Sequence, residues 1–109
     1  MANAYKVLAQ SAPSAATATN VYTVPAATET VISTVIIANR AATAGTFRLS
    51  VRPNGGTQTD AMYCAYDVAV AANDSTTLTL GLTVDATDVI TVYCSSADMS
   101  INIFGTEIS

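Results

Sequence analysis

The side chains in this sequence best suited to chemistry are eight carboxylates, two cysteines and five tyrosines, and there is no histidine. Paired carboxylates can hydrolyse a glycosidic bond when one is held protonated and the other ionised. Here they are Glu29, Asp60, Asp67, Asp74, Asp85, Asp88, Asp98 and Glu107. Asp74, Asp85 and Asp88 lie in turn-like stretches, where Asp serves its own backbone through local hydrogen bonds. Asp67 and Asp98 could approach one another only across a sheet, and no carboxylate has a setting that would shift its pKa. Oxygen ligands from Asp85 and Asp88, with Asp74, could hold Ca²⁺ weakly, but a solvated turn accounts for them better. Without histidine there is no Ser-His or Cys-His nucleophile pair. No G-x-S-x-G elbow, G-x-x-x-x-G-K phosphate loop or G-x-G-x-x-G fingerprint occurs, and Gly55-Gly56 reads as a turn. Cys64 and Cys94 cannot complete a zinc site without other soft ligands. In a reducing cytoplasm they read as buried thiols filling strands rather than as a disulfide. The expectation is a non-enzymatic chain with no catalytic residue, no metal and no cofactor.

What remains is contact chemistry. Arg48 and Arg52 lie on the polar side of an alternating segment and could pair with acidic groups of a neighbouring subunit, or equally face solvent. Tyr63 falls on the parity opposite Met62 and Tyr66, so one of these rings should lie on an outer surface, where aromatics favour contacts. Tyr5 and Lys6, near the N-terminus, complete the candidate partner-contact residues.

The composition points the same way. Half the residues are hydrophobic and only 11% are charged, against about 25% in an ordinary soluble domain. A surface covered by hydroxyls, amides and small apolar groups is poorly defended against association. Net charge is −4, with Lys6, Arg40, Arg48 and Arg52 the only cations. Four scattered cations do not make the field that displaces counterions from phosphate, so nucleic acid is not an expected partner. The longest apolar run, Val35 to Ala38, falls far short of the roughly 20 residues of a spanning helix, and membrane insertion is not expected. No secretory signal is visible at the N-terminus, which makes synthesis in a cytoplasm the default.

The elements that must position these residues read as strands. Tyr5–Leu8 is a first strand, and residues 9–20, with almost no large side chains, form a loop or an arm that orders against a neighbour. Val21–Val24 ends at Pro25. Thr30–Asn39 is apolar on both parities and suits a central strand covered on both faces. Thr46–Arg52 alternates, with Phe47, Leu49 and Val51 inward and Arg48, Ser50 and Arg52 outward. Pro53-Asn54-Gly55-Gly56 is a turn. Ala61–Val70 places Met62, Cys64, Tyr66, Val68 and Val70 on one side. Leu78, Leu80 and Leu82 alternate with Thr and Gly. Val89–Ser95 and Met99–Phe104 follow, and Gly105 stops the last strand. About eight short strands with regularly spaced turns predict a single-domain antiparallel β-sandwich, jelly-roll or immunoglobulin-like, over residues 21–109, with residues 1–20 as a partly flexible strand and arm.

Several segments, in order, resemble a known group: Tyr22–Thr28, Ile37–Ala44, Phe47–Pro53, Ala65–Val68 leading to Leu78–Leu82, Asp88–Tyr93 and Phe104–Ile108. They are similar to small virion structural proteins of tailed bacteriophages, cyanophages especially, across residues 5–109. The resemblance implies a particle component in many copies and without catalysis, carried in the virion and made in the bacterial host cytoplasm. Within that group the uncharged, Thr- and Ala-rich surface, the N-terminal arm and the all-β core favour a capsid cement or decoration protein, whose partner is the major capsid protein or another virion structural protein. A tail, neck or baseplate component is the alternative. Homo-oligomerisation, as a trimer for example, is expected because lattice sites are symmetric. Deleting residues 1–20 would then weaken attachment and leave the fold intact. A glycan-binding module on the host surface is a further alternative, disfavoured by the absence of Trp and only 6% aromatic residues.

Overall fold

The computed structural model describes residues 2–109, and Met1 lies outside them. The strands are β1 (Asn3–Ser11), β2 (Thr19–Thr23), β3 (Glu29–Asn39), β4 (Gly45–Arg52), β5 (Tyr63–Val70), β6 (Ser75–Leu78), β7 (Leu82–Val84), β8 (Val89–Cys94) and β9 (Met99–Ile108). They pair as a long antiparallel ribbon would if folded once and rolled up. β4 pairs with β5 at the tip, β3 with β6 and β7, β2 with β8, and β1 with β9. Rolling the ribbon then brings β9 against β3 and β8 against β4. The result is two antiparallel sheets, β1-β9-β3-β6 with β7 sharing the β3 edge, and β2-β8-β4-β5. This nesting is the jelly-roll order, not the ABED/CFG order of immunoglobulin domains.

The core lies between the sheets. Ile32, Val35, Ile37, Ile101 and Ile103 come from the first, and Phe47, Leu49, Ile90, Val92 and Cys94 from the second, each almost wholly buried. Full burial of such an aliphatic or aromatic side chain contributes about 1.5–3 kcal/mol before entropy is counted. Burial raises the Cys94 thiol to about 11, so it stays protonated at neutral pH.

Where the structure departs from the sequence expectation, local irregularities are the cause. In β3 the pairing with β9 slips between Ile32 and Thr34. Thr30 and Ile32 face inward before the slip, Val35 and Ile37 after it, and Val31 faces solvent. The mixed parity reflects a bulge in a strand buried on one face, not a strand covered on both. In β5 the pairing with β4 slips twice, and Asp67 has φ of 50°. Val68 and Val70 therefore turn inward while Tyr66 stands 55% exposed. Cys64 is a free, exposed thiol, not a core filler.

The expected Leu78–Leu82 strand is broken at Gly81, φ 61°, into β6 and β7, and Leu80 is exposed. That break makes nine strands of an eight-position roll. Gly105 does not end β9, which continues to Ile108. Of residues 9–20, expected as a loop or an arm, 12–18 are loop, while β1 extends to Ser11 and β2 begins at Thr19. Leu8 and Ala9 pack against the core. Removing residues 1–20 would strip β1 from β9, so the fold would not be left intact.

A polar clamp joins the sheets at one end. The Tyr22 hydroxyl donates to Glu107 Oε2 at 2.5 Å and lies 2.9 Å from Thr30 Oγ1, and Lys6 Nζ sits 2.6 Å from Glu107 Oε1. Burial, reinforced by the Glu107 carboxylate, pushes Tyr22 from 10.0 up to about 12. Against the expectation that no carboxylate's setting would shift its pKa, hydrogen bonds from Lys6 and then Tyr22, on strands far apart in sequence, hold Glu107 below the usual carboxylate range. The Tyr22 contribution is therefore full below pH 10.0 and is lost as pH rises toward about 12. The Glu107 contribution is present above the usual carboxylate pKa and is lost as pH falls through its lowered folded value. Urea denaturation across pH should show both losses, and Tyr22→Phe should reduce the alkaline one, leaving the part due to the buried Cys94 thiol, while costing about 1 kcal/mol near neutrality.

Candidate functional site

The outer face of the β2-β8-β4-β5 sheet gathers three of the five tyrosines around one arginine. Arg48 on β4 pairs in register with Tyr93 on β8, so the two side chains emerge side by side on one face. The Arg48 guanidinium lies 4.3 Å from the Tyr66 ring centroid and 4.4 Å from that of Tyr93, between the two rings. Tyr63 meets Tyr66 edge to face with centroids 4.9 Å apart. Asp67 fixes the guanidinium, accepting from Nε at 2.7 Å and from Nη2 at 3.4 Å. The positive φ at Asp67 is what sets this carboxylate and the Tyr66 ring beside Arg48.

Next to this belt is a groove of about 260 Å³ lined by Ala18, Arg48, Ser50, Gln58, Tyr63, Thr91 and Tyr93. Its floor is ordered by hydrogen bonds: the Ser50 hydroxyl donates to Gln58 Oε1 at 2.6 Å, and the Thr91 hydroxyl donates to Asn20 Oδ1 at 3.0 Å. Arg52 stands at the margin. Its donors go to the carbonyls of Gly55 and Gly56, to Asn20 Oδ1 and to the Thr91 hydroxyl.

The outer face of the other sheet is different in kind. Register places Tyr5, Thr106 and Val31 in one row, Val7, Phe104 and Thr34 in the next, and Gln10, Asn102 and Ile36 in a third. Tyr5 is 81% exposed, Val7 47% and Val31 36%. None of the nine residues in these rows is charged.

The structure thus brings Arg48 and Tyr63 together, sets Arg52 beside them, and puts Tyr5 and Lys6 on the opposite sheet. Lys6 spends its ammonium on Glu107. Sequence reasoning missed Tyr93, Gln58 and Thr91, and it put Tyr63 and Tyr66 on opposite faces. Only the cross-strand register and the β5 bulges join them, and neither leaves a mark in the spacing.

Three turn carboxylates, Asp74, Asp85 and Asp88, serve the backbone. Asp88 accepts from the amides of Asn54 and Asp85, Asp85 from Ala86, and Asp74 from Ser75. Among the described residues no group of three or more His, Cys, Asp or Glu is placed to hold a metal, and no helix is long and apolar enough to cross a membrane. No family model, curated protein or solved structure matches this chain.

Proposed function

We propose that this protein is a non-catalytic structural component of a tailed-phage virion, a cement protein that binds the assembled capsid lattice and stabilises it. The observation that carries this reading is the uncharged patch of three rows on the outer face of the β1-β9-β3 sheet, with Tyr5, Val7 and Val31 exposed in adjacent rows and Glu29 at its margin. A face of this kind gains by being covered, and no like-charge repulsion opposes its approach to a neighbour. Contacts that span capsomers exist only in the assembled shell, so each bound copy favours that state by mass action. The phage setting comes from the sequence resemblance, and jelly rolls are an architecture that capsid domains use. The partner is the major capsid protein or another virion structural protein, and a closed homo-oligomer would match a symmetric lattice site.

Antibody labelling of intact particles of the encoding phage should mark the head. Label confined to the tail would move the protein to the neck, tail or baseplate, and absence from purified particles would overturn the reading. Tyr5→Asp combined with Val7→Asp is expected to lower retention on particles more than about tenfold, a cost of about 1.4 kcal/mol or more. The free protein should keep its unfolding midpoint, because both side chains already face solvent.

A further inference from the structure

We propose that the groove on the outer face of the β2-β8-β4-β5 sheet binds a neutral saccharide, a role independent of attachment to a lattice. At about 260 Å³ the groove is smaller than typical pockets for drug-sized ligands, which run to roughly 300–1,000 Å³. It suits one sugar ring better than a length of peptide. Its walls offer the two things a pyranose uses. The Tyr63 and Tyr93 rings give apolar surface for the C–H face of the ring. The Tyr63 and Tyr93 hydroxyls can both donate and accept, and the Gln58 amide, which accepts from Ser50 and donates to the Thr59 carbonyl, keeps one proton and one lone pair for a sugar hydroxyl.

The charge pattern selects a neutral ligand. No carboxylate and no lysine lines the groove. Arg48 gives Nε–H and one Nη2 proton to Asp67, whose carboxylate offsets the guanidinium charge, and its remaining N–H donors can serve a sugar hydroxyl. Arg52, the nearest other cation, already has donors committed to Gly55, Gly56, Asn20 and Thr91. A phosphate or carboxylate would therefore meet a guanidinium whose charge Asp67 already offsets, and no second uncommitted cation.

The belt is also held in place before any ligand arrives. Arg48 is fixed between two rings and by Asp67, and the Tyr63 ring abuts Tyr66. Binding then loses little side-chain entropy. The scarcity of aromatics that counts against a sugar site in the sequence loses its force once three of the five tyrosines share one face.

The test is a titration of the isotopically labelled full-length protein followed by amide shifts. The probes are glucose, galactose, mannose and N-acetylglucosamine with their short neutral oligomers, and glucuronate and inorganic phosphate as anionic comparators. At least one neutral sugar should give saturable shifts, in the millimolar range, centred on Ala18, Gln58, Tyr63, Thr91 and Tyr93. Gln58→Ala and Tyr93→Ala should each weaken that binding about tenfold, the scale of one lost stacking or hydrogen-bonding partner. Gln58→Ala keeps the test valid if loss of the Tyr93 ring disturbs the sheet. Three results would each overturn the proposal: no saturation by any neutral sugar, binding of the anions alone, or shifts at this groove only on adding capsid protein. The last would mark it as a protein contact.

Discussion

Gly105→Ala is expected to destabilise the protein by at least about 3 kcal/mol, if the variant folds at all. A Cβ at this position would lie 2.1 Å from the Val31 carbonyl oxygen, 3.0 Å from Leu8 Cδ1 and 3.1 Å from Ile32 Cα. Two of those three atoms are backbone of β3, which has β6 and β7 on its far side and cannot retreat without shifting them. Gly105 pairs with Lys6 on one side and Ile32 on the other, beside the bulges that both neighbouring strands carry. The close approach of three strands at this point is what requires a residue without a side chain. Gly81→Ala is the control. Gly81 has φ of 61° but nothing within 4 Å of a built Cβ, so only the left-handed backbone is penalised, by about 1 kcal/mol. Urea midpoints of the two variants should differ widely. Equal midpoints would mean that β3 and β9 separate easily at the bulge.

Asn39→Ala is expected to cost about 3 kcal/mol, through the loss of a buried amide that joins both sheets. Asn39 is 2% exposed at the end of β3. Its Nδ2 faces the carbonyls of Thr43, Val70 and Ala71 at 2.9, 3.2 and 3.3 Å, and its Oδ1 accepts from the Ala41 amide at 3.0 Å. Two amide protons are shared among three carbonyls, so the site is saturated with acceptors. One side chain thereby fastens the β3–β4 loop and ties the first sheet to the end of β5 in the second. Asn39→Asp sharpens the prediction. It is nearly isosteric but turns carboxylate oxygen toward three carbonyls, which raises the folded-state pKa of the new acid. Its stability should therefore improve as pH is lowered and fall as pH rises through that pKa. A pH-independent loss equal to that of Asn39→Ala would show that the amide acts only by filling space.

How much of this was legible in the sequence differs from strand to strand. In β4 the alternation of Phe47 and Leu49 with Arg48 gives both strand and facing, because on this segment parity alone separates core from solvent. Even there Ser50 escapes, since it is buried through a hydrogen bond to Gln58 that lies outside the strand. In β3 and β5 the same reasoning fails at Ser33 and Asp67. One extra residue in a strand reverses every side chain beyond it, and a bulge has no compulsory residue type. Gly105 shows a related ambiguity. Glycine marks both strand ends and close backbone approaches, and only the neighbouring carbonyl decides which.

The candidate site follows the same division. The residue types, Arg48 and Tyr63 among them, were visible as contact chemistry. Their assembly with Tyr93 and Tyr66 depends on the β4–β8 register and on two slips in β5.

By itself the sequence determines the all-β class, the turns at Pro53–Gly56, Asn73–Ser75 and Asp85–Asp88, and the want of histidine-based chemistry. These are local properties: β-branched and alternating segments favour extended chain, and Gly, Asn and Asp favour turns wherever the rest of the chain lies. Tertiary structure alone decides the jelly-roll order, the facing of β5, the clamp from Tyr22 to Glu107 and the tyrosine–arginine groove. Each depends on which strands pair and in what register, and that is fixed by burying the whole core at once rather than by any segment's own preference.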